Sequence, residues 1–298
     1  MRIAVCTKRD LAGCLILNRM LPRLAGHAVM VLLSDKTRPV ETVVPELAEM
    51  KFFERDLPID TLFPLVDEVG GEGAALATFA GAATRFDVPI RVVKDINGPE
   101  SEALLRDFAP DLMVSARFSL IFKRHIFDIP RLGTYNIHPG ALPRYAGLFA
   151  PFRCMVEGAD AIGCTLHRVD DGIDTGPVIG IGTLPIDLER SLLWHVVNTY
   201  GPGIDLFFEM MAAFDAGRPV EPQVQDRSRR VYAGLPDAES FRTFLAKGFR
   251  LFDPNEYLDL IRGFMPAGMQ IPHEVVAGVR EQGVAGQGVG APCCCAPA

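Results

Sequence analysis

Thr134-Tyr-Asn-Ile-His-Pro-Gly-Ala-Leu-Pro-Arg-Tyr-Ala-Gly147, read with Gly163-Cys-Thr-Leu-His-Arg-Val-Asp-Asp-Gly-Ile-Asp-Thr-Gly-Pro177, decides the fold of this chain. Each stretch begins as a short β-type run and ends in glycine and proline, the pattern of a buried strand that stops abruptly and presents polar side chains at its end. Side chains two apart on a strand share a side, so Asn136 and His138 face together while Ile137 points into the packing. In the second strand Ile162, Cys164 and Leu166 form the apolar side and Gly163, Thr165 and His167 the other. Asp171-Gly172 marks a tight turn, after which Asp174-Thr-Gly-Pro177 returns a carboxylate toward the strand end. Any one of these residues has a local explanation: Asn136 capping a turn, His138 bonded to a backbone carbonyl, Asp174 in an Asx-type turn. The set is different, because an amide, two imidazoles and a carboxylate at neighbouring strand ends are the parts that move an acyl-type carbon onto a nucleophile.

Working outward, the N-terminal half alternates strand and helix. Arg2 to Cys6 reads as a strand, Leu11 to Leu24 as an amphipathic helix and Ala28 to Ser34 as a continuous apolar strand covered on both faces. Residues 36 to 60 carry Pro39, Pro45 and Pro58 and read as loops and short turns. Short strands follow at Ile90 to Val93 and Asp111 to Ser115, with a helix from Glu102 to Phe108 between them. Ser191 to Phe214 reads as a long helix broken at Gly201-Pro-Gly203. The pattern is α/β, a mostly parallel sheet flanked by helices. From Arg218 the chain becomes proline-rich and then aromatic, which divides it into a catalytic domain (1–215), a small C-terminal subdomain or arm (216–276) and a disordered Gly/Ala/Cys tail (277–298).

Composition narrows the class. A chain of 298 residues with 49% hydrophobic content can bury a full α/β core. No apolar run is long enough to span a membrane, and the sequence opens directly on a strand without a signal-peptide pattern, so a cytoplasmic location is expected. The net charge of −7 argues against nucleic-acid binding, and residues 216 to 298 hold nine Lys/Arg against nine Asp/Glu, which is no basic arm. Cys6, Cys14, Cys154 and Cys164 lie in apolar runs without metal-ligand spacing and read as small core residues, while Cys293 to Cys295 cannot close a tetrahedral site unaided, so no metal is expected.

The order N-x-H-P-G-x-L-P followed by H-x₆-D-T-G-P, over about Asp111 to Ile179, resembles the catalytic domain of the folate-dependent formyltransferases, with Asn136, His138 and Asp174 on the family's Asn-His-Asp set and His167 on a histidine frequent in the second strand. The resemblance implies a Rossmann-like formyltransferase fold that takes a formyl group from 10-formyltetrahydrofolate. It places Ser115 to Phe122 on the loop that recognises the pterin ring, with Arg117, Phe118, Leu120, Ile121 and Phe122 as donor-binding residues. Val169, Asp171 and Gly172, ahead of Asp174, form the opposite wall, His167 and Thr165 support the catalytic set, and Leu142-Pro143 is expected to be cis. Asn136 and a protonated His138 would receive the oxyanion, and Asp174 would take the proton of the attacking amine while favouring the imidazolium by opposite charge.

The acceptor is less constrained. The segment Cys6 to Gly13 holds one glycine where the purine branch of the family carries a glycine-rich phosphate loop, and Lys8 and Arg9 there read as solvated charges. The C-terminal part is short and charge-balanced beside that of the tRNA branch. A small-molecule amine, with a nucleotide-linked amino sugar in the lead, is therefore the expected partner, and a homodimer is compatible with the reading. Two alternatives use the same residues: a formyltetrahydrofolate hydrolase with water as acceptor, and a methionyl-tRNA formyltransferase-like activity. A third, a non-catalytic folate or nucleotide binder, leaves the intact residue set unused.

Overall fold

The computed structural model describes residues 1–285. The Cys293 to Cys295 run lies outside the described residues. The first half comprises β1 (Arg2–Lys8), α1 (Leu11–Met20), β2 (Ala28–Ser34), α2 (Pro45–Lys51), α3 (Phe63–Val69), α4 (Phe79–Phe86), β3 (Ile90–Val93), α5 (Pro99–Phe108), β4 (Leu112–Ala116) and α6 (Arg124–Phe127). The second half adds β5 (Thr134–His138), β6 (Ala146–Gly147), α7 (Ala150–Glu157), β7 (Ala161–Arg168), β8 (Val178–Pro185), α8 (Leu192–Asn198) and α9 (Tyr200–Asp215). It ends with β9 (Tyr232–Ala233), α10 (Ala238–Ala246), α11 (Pro254–Arg262) and α12 (His273–Ala285).

Seven strands form one sheet in the order β3-β2-β1-β4-β5-β7-β8, parallel as far as β5 and antiparallel at the β5–β7 and β7–β8 pairs. The chain leaves β1 toward β2 and β3, then crosses back to β4 and β5. The strand order therefore reverses between β1 and β4, and a crevice opens outside their carboxyl ends. The period-two alternation of the strands sorts the core onto two faces. Ile3, Val5, Val31, Val114, Ile137 and Leu166 pack on one side, with Ile16 and Leu17 of α1 and Ile204 and Phe207 of α9. Ala4, Cys6, Met30, Leu32 and Met113 pack on the other, with Leu105, Ile126 and Phe127. Cys6, Cys14, Cys154 and Cys164 are all buried free thiols, and burial pushes Cys164 up to about 12.

Three elements differ from the sequence reading. Residues 45–69 are one helical segment, in which α2 passes through two wide turns, Phe52–Asp56 and Pro58–Leu62, into α3. The prolines were misleading because a wide turn reroutes the hydrogen bonds: the Leu57 N–H reaches Phe52 O and the Phe63 N–H reaches Pro58 O, so Pro58 does not end the helix. The long second-half helix breaks at Thr199, not at the Gly-Pro-Gly, and Pro202 falls in the first turn of α9, where no intrahelical N–H bond is lost. Helix α12 runs through the first residues of the stretch read as a tail, anchored by Val275 and Val279, one turn apart and both buried.

A third core lies in the helical layer. Phe53, Phe63 and Phe152 pack there with Phe241, Phe244, Phe252, Tyr257 and Phe264 of the C-terminal segment. Phe53 and Phe252 stack with ring centroids 3.5 Å apart, and the Tyr257 hydroxyl donates to Phe53 O at 2.9 Å. Among the described residues no helix is long and apolar enough to cross a membrane.

Candidate active site

The β5–β7 pair sets the centre of the site. In its antiparallel register Asn136 faces His167 and His138 faces Thr165, while Ile137 and Cys164 turn to the α9 side. Gly203 lets α9 approach there, since a Cβ at that position would stand 2.5 Å from Cys164 Sγ and from Ile137 Cγ2. The turn after β5 is held from β7: Thr165 Oγ1 donates to Gly140 O at 2.6 Å and accepts from the Leu142 N–H at 3.1 Å. Leu142-Pro143 is cis. Gly140 is required by close approach, because a Cβ would lie 2.5 Å from Tyr145 O and 2.8 Å from His138 Nε2.

Asp174 closes the group. Its Oδ1 is 3.6 Å from His138 Nδ1 and 3.8 Å from His167 Nε2, and its Oδ2 accepts from the Gly147 N–H at 2.8 Å. Its backbone sits in the left-handed region, at φ 55°. His138 has its other ring nitrogen on the Tyr145 carbonyl at 2.7 Å, so Nε2 carries the hydrogen and Nδ1 is the edge turned to Asp174. His167 Nδ1–H donates to Arg168 O at 2.9 Å, which leaves Nε2 to accept from the Asn136 amide at 3.1 Å. Burial drives the His167 pKa down to about 4 against the opposing pull of Asp174, so the ring is neutral at neutral pH.

These residues open onto a single cleft of about 330 Å³, the low end of the range for small-molecule sites. On the side after β4 it is lined by Phe118, Leu120, Ile121, Phe122 and Val169, with the Phe118 and Phe122 rings stacked at 5.2 Å. Asn97 pins that loop, donating to Ile121 O and accepting from the Lys123 N–H. Gly172 and Asp174 also line the cleft, whereas Val169, expected on the same wall, packs with Phe118 and Leu120. Asp171 does not line the cleft: its carboxylate is turned outward onto Arg124. Thr165 is fully buried behind the Gly140 turn.

Arg117 reaches the cleft wall in a left-handed conformation, φ 59°, but its guanidinium is already committed. Nε donates to Asp10 at 2.8 Å and Nη2 to Glu54 at 2.6 Å. Burial opposes the Arg117 charge, and the two carboxylates outweigh it; burial pushes the Glu54 carboxyl up against the pull of Arg117. Asp10 also caps α1 through the Gly13 N–H and stands 3.7 Å from Lys8, which lines the cleft and is largely buried. Arg117 thus ties the loop after β4 to the wide turn carrying Glu54. No local pattern signals this, because the partners lie 107 and 63 residues away.

On the side after β2 the lining carries four cations, Lys36, Arg38, Lys51 and Arg55, with Glu41 among them. Lys51 pairs with Asp56 and Arg55 with Asp35, whereas Lys36 and Arg38 have no ion-pair partner among the described residues. Tyr232 and Leu235, from the C-terminal segment, complete the rim.

An α/β sheet with a polar cluster outside the carboxyl ends of its strands is the arrangement of a ligand-binding crevice. Comparison with known proteins narrows that reading. Residues 84–192 match the formyl transferase family model. In sequence the chain is similar to the methionyl-tRNA formyltransferase of Thiobacillus denitrificans, 31% identical over 63% of each chain. The matched stretch therefore spans less than two thirds of that relative's length. In structure it is similar to the N-formyltransferase of Helicobacter canadensis in complex with folinic acid and dTDP-3-aminofucose, at 17% identity, covering 90% of this chain and 84% of that one with a TM-score of 0.51. A sugar N-formyltransferase from a Shewanella species gives a TM-score of 0.51 at 15% identity, covering 90% of both chains. At such identities the structural likeness establishes the formyltransferase fold.

Proposed function

We propose that the protein is a cytoplasmic N-formyltransferase that moves a formyl group from 10-formyltetrahydrofolate to the primary amine of a small acceptor, with a nucleotide-linked amino sugar in the lead and no nucleic acid involved. The observation that carries the proposal is the convergence of Asn136, His138 and Asp174 around one point of the cleft, with an apolar slot on one side and unpaired cations on the other. The stacked Phe118 and Phe122, with Leu120 and Val169, fit the flat heterocycle of a folate, and Lys36 and Arg38 fit the phosphates of a nucleotide.

The donor supplies an electrophilic formyl carbon on a nitrogen leaving group. Asn136 spends one amide N–H on His167 and has a second to offer the oxygen of that carbon as it takes up charge. His167, fixed neutral, cannot compete as a charged donor and instead orients the amide. Asp174, beside His138 Nδ1, accepts the proton that the attacking amine must lose, and His138 is placed to relay it toward the departing nitrogen. A bond forms between acceptor nitrogen and formyl carbon, the bond to the donor nitrogen breaks, and the amine proton ends on that nitrogen.

A second reading is favoured by sequence similarity alone: the sequence relative named above is a methionyl-tRNA formyltransferase, as are others that match, which makes the amine of methionyl-tRNA the competing acceptor. A mass-resolved screen with 10-formyltetrahydrofolate decides between them. A gain of about 28 mass units on a nucleotide amino sugar supports the first reading, the same gain on methionyl-tRNA the second, and free formate without an amine would make the protein a hydrolase. Asn136→Ala and Asp174→Ala should each lower turnover by at least about a hundredfold; near-normal turnover in a folded variant removes the assigned role.

A further inference from the structure

A strap from the C-terminal segment, residues 223–235, crosses both loops of the candidate site. On one loop the Ala146 N–H donates to Val231 O and the Leu148 N–H to Ala233 O, which pairs β6 with β9 in parallel. On the other, Val178 and Gln223 exchange backbone hydrogen bonds, and Arg230 donates to Ile173 O. Between them Gln225 is buried, and its side-chain nitrogen donates to Asp174 O at 3.1 Å and to Gly176 O at 2.6 Å. Two carbonyl acceptors require the NH₂ end of the amide, so the orientation of this side chain is fixed by chemistry.

We propose that Gln225 is a positioning residue of the site, clamping the carbonyls on either side of Thr175 so that Asp174 is held in its left-handed conformation with its carboxylate between His138 and the Gly147 N–H. A non-glycine residue at φ 55° is sustained only where its surroundings over-determine it. Three things do so here: the Gly147 N–H on the side chain, Gln225 on the carbonyl, and the Gln223 bridge just beyond. Without the clamp Asp174 can relax to ordinary backbone angles and swing its carboxylate away from His138. The C-terminal strap is then part of the site although Gln225 does not line the cleft.

This inference rests on the formyl-transfer reading, and its test separates the two. Wild type, Gln225→Leu, Gln225→Glu and, as a control on the strap, Val224→Ala, whose parent side chain is 86% exposed, are assayed as full chains for formyl transfer across pH. Gln225→Leu should lose at least about tenfold in kcat with KM for the formyl donor changed less than about twofold, the pattern of a group that acts on the transition state alone. Gln225→Glu sets a carboxylate against two carbonyl oxygens at neutral pH, whereas its protonated form donates an O–H to one of them. Its kcat relative to wild type should therefore rise as the pH is lowered, a response that simple loss of packing would not produce. Val224→Ala should match wild type. Equal kcat in wild type and Gln225→Leu, or a Gln225→Glu to wild-type ratio that is flat with pH, overturns the positioning role while leaving the activity in place. A wild-type chain that forms no N-formyl product overturns the reading beneath it as well.

Discussion

Asn136 donates its amide N–H to a neutral His167, Nδ2 to Nε2 at 3.1 Å, directly across the β5–β7 pair. The neutrality is imposed by burial, which brings the ring to about 4, and it has a consequence for acid stability. In the unfolded chain the ring titrates near its ordinary value of about 6.5. Between about pH 6.5 and 4 the unfolded state therefore binds a proton that the native state does not, and stability falls as pH is lowered through that window. Urea unfolding at pH 7 and pH 4.5 should show wild type losing on the order of 2 kcal/mol more than His167→Gln between the two pH values. Equal losses would mean that the ring is not held neutral.

Arg117 should matter to folding before it matters to ligand binding. Replacing it by Met leaves Asp10 and the buried Glu54 without their shared cation, and stranding buried charge typically costs about 3–5 kcal/mol. Adding Glu54→Gln should recover part of that loss, because the two residues are in contact and their effects are not additive. Denaturant unfolding of the two single variants and the double variant measures the recovery. Additive losses would show that the pair is not coupled.

The Phe53–Phe252 stack packs the C-terminal segment against the helical layer of the sheet domain. Phe252→Ala empties a site in the helical-layer core beneath Phe53 and Tyr257, with an expected cost of about 3–5 kcal/mol. The loss should appear in a single cooperative transition, seen alike by far-UV circular dichroism and by tyrosine fluorescence. Two separated transitions would show that residues 238–285 fold on their own.

What was legible in the sequence follows physical lines. The strand pairs were readable because a period of two in the side chains fixes which residues share a face, and Asn136, His138, Thr165 and His167 obey it without exception. The helical run through residues 45–60 is not, since its prolines are tolerated by wide turns whose hydrogen bonds leave no sequence signature. Arg117 was placed against the ligand from its loop, while its real partners come from α1 and from that wide turn. Asp171 was read as part of the wall because its neighbours are, but in a turn adjacent residues point in different directions, and it pairs outward with Arg124. Tyr232 and Gln225 were beyond reach for a simpler reason: they meet the site only through tertiary contact, about 50 residues after Asp174.

The pairing of β5 with β7 also determines how the site can fail. Slipping β7 by a single residue would exchange inside for outside along that strand, sending Thr165 and His167 into the hydrocarbon layer under α9 and bringing Cys164 and Leu166 out toward the crevice. Oil and catalytic polarity are thus opposite sides of one alignment. A chain that has sealed its interior has, in the same event, aimed Asn136, His138 and His167 at the crevice, and damage to that alignment should show as lost solubility together with lost turnover.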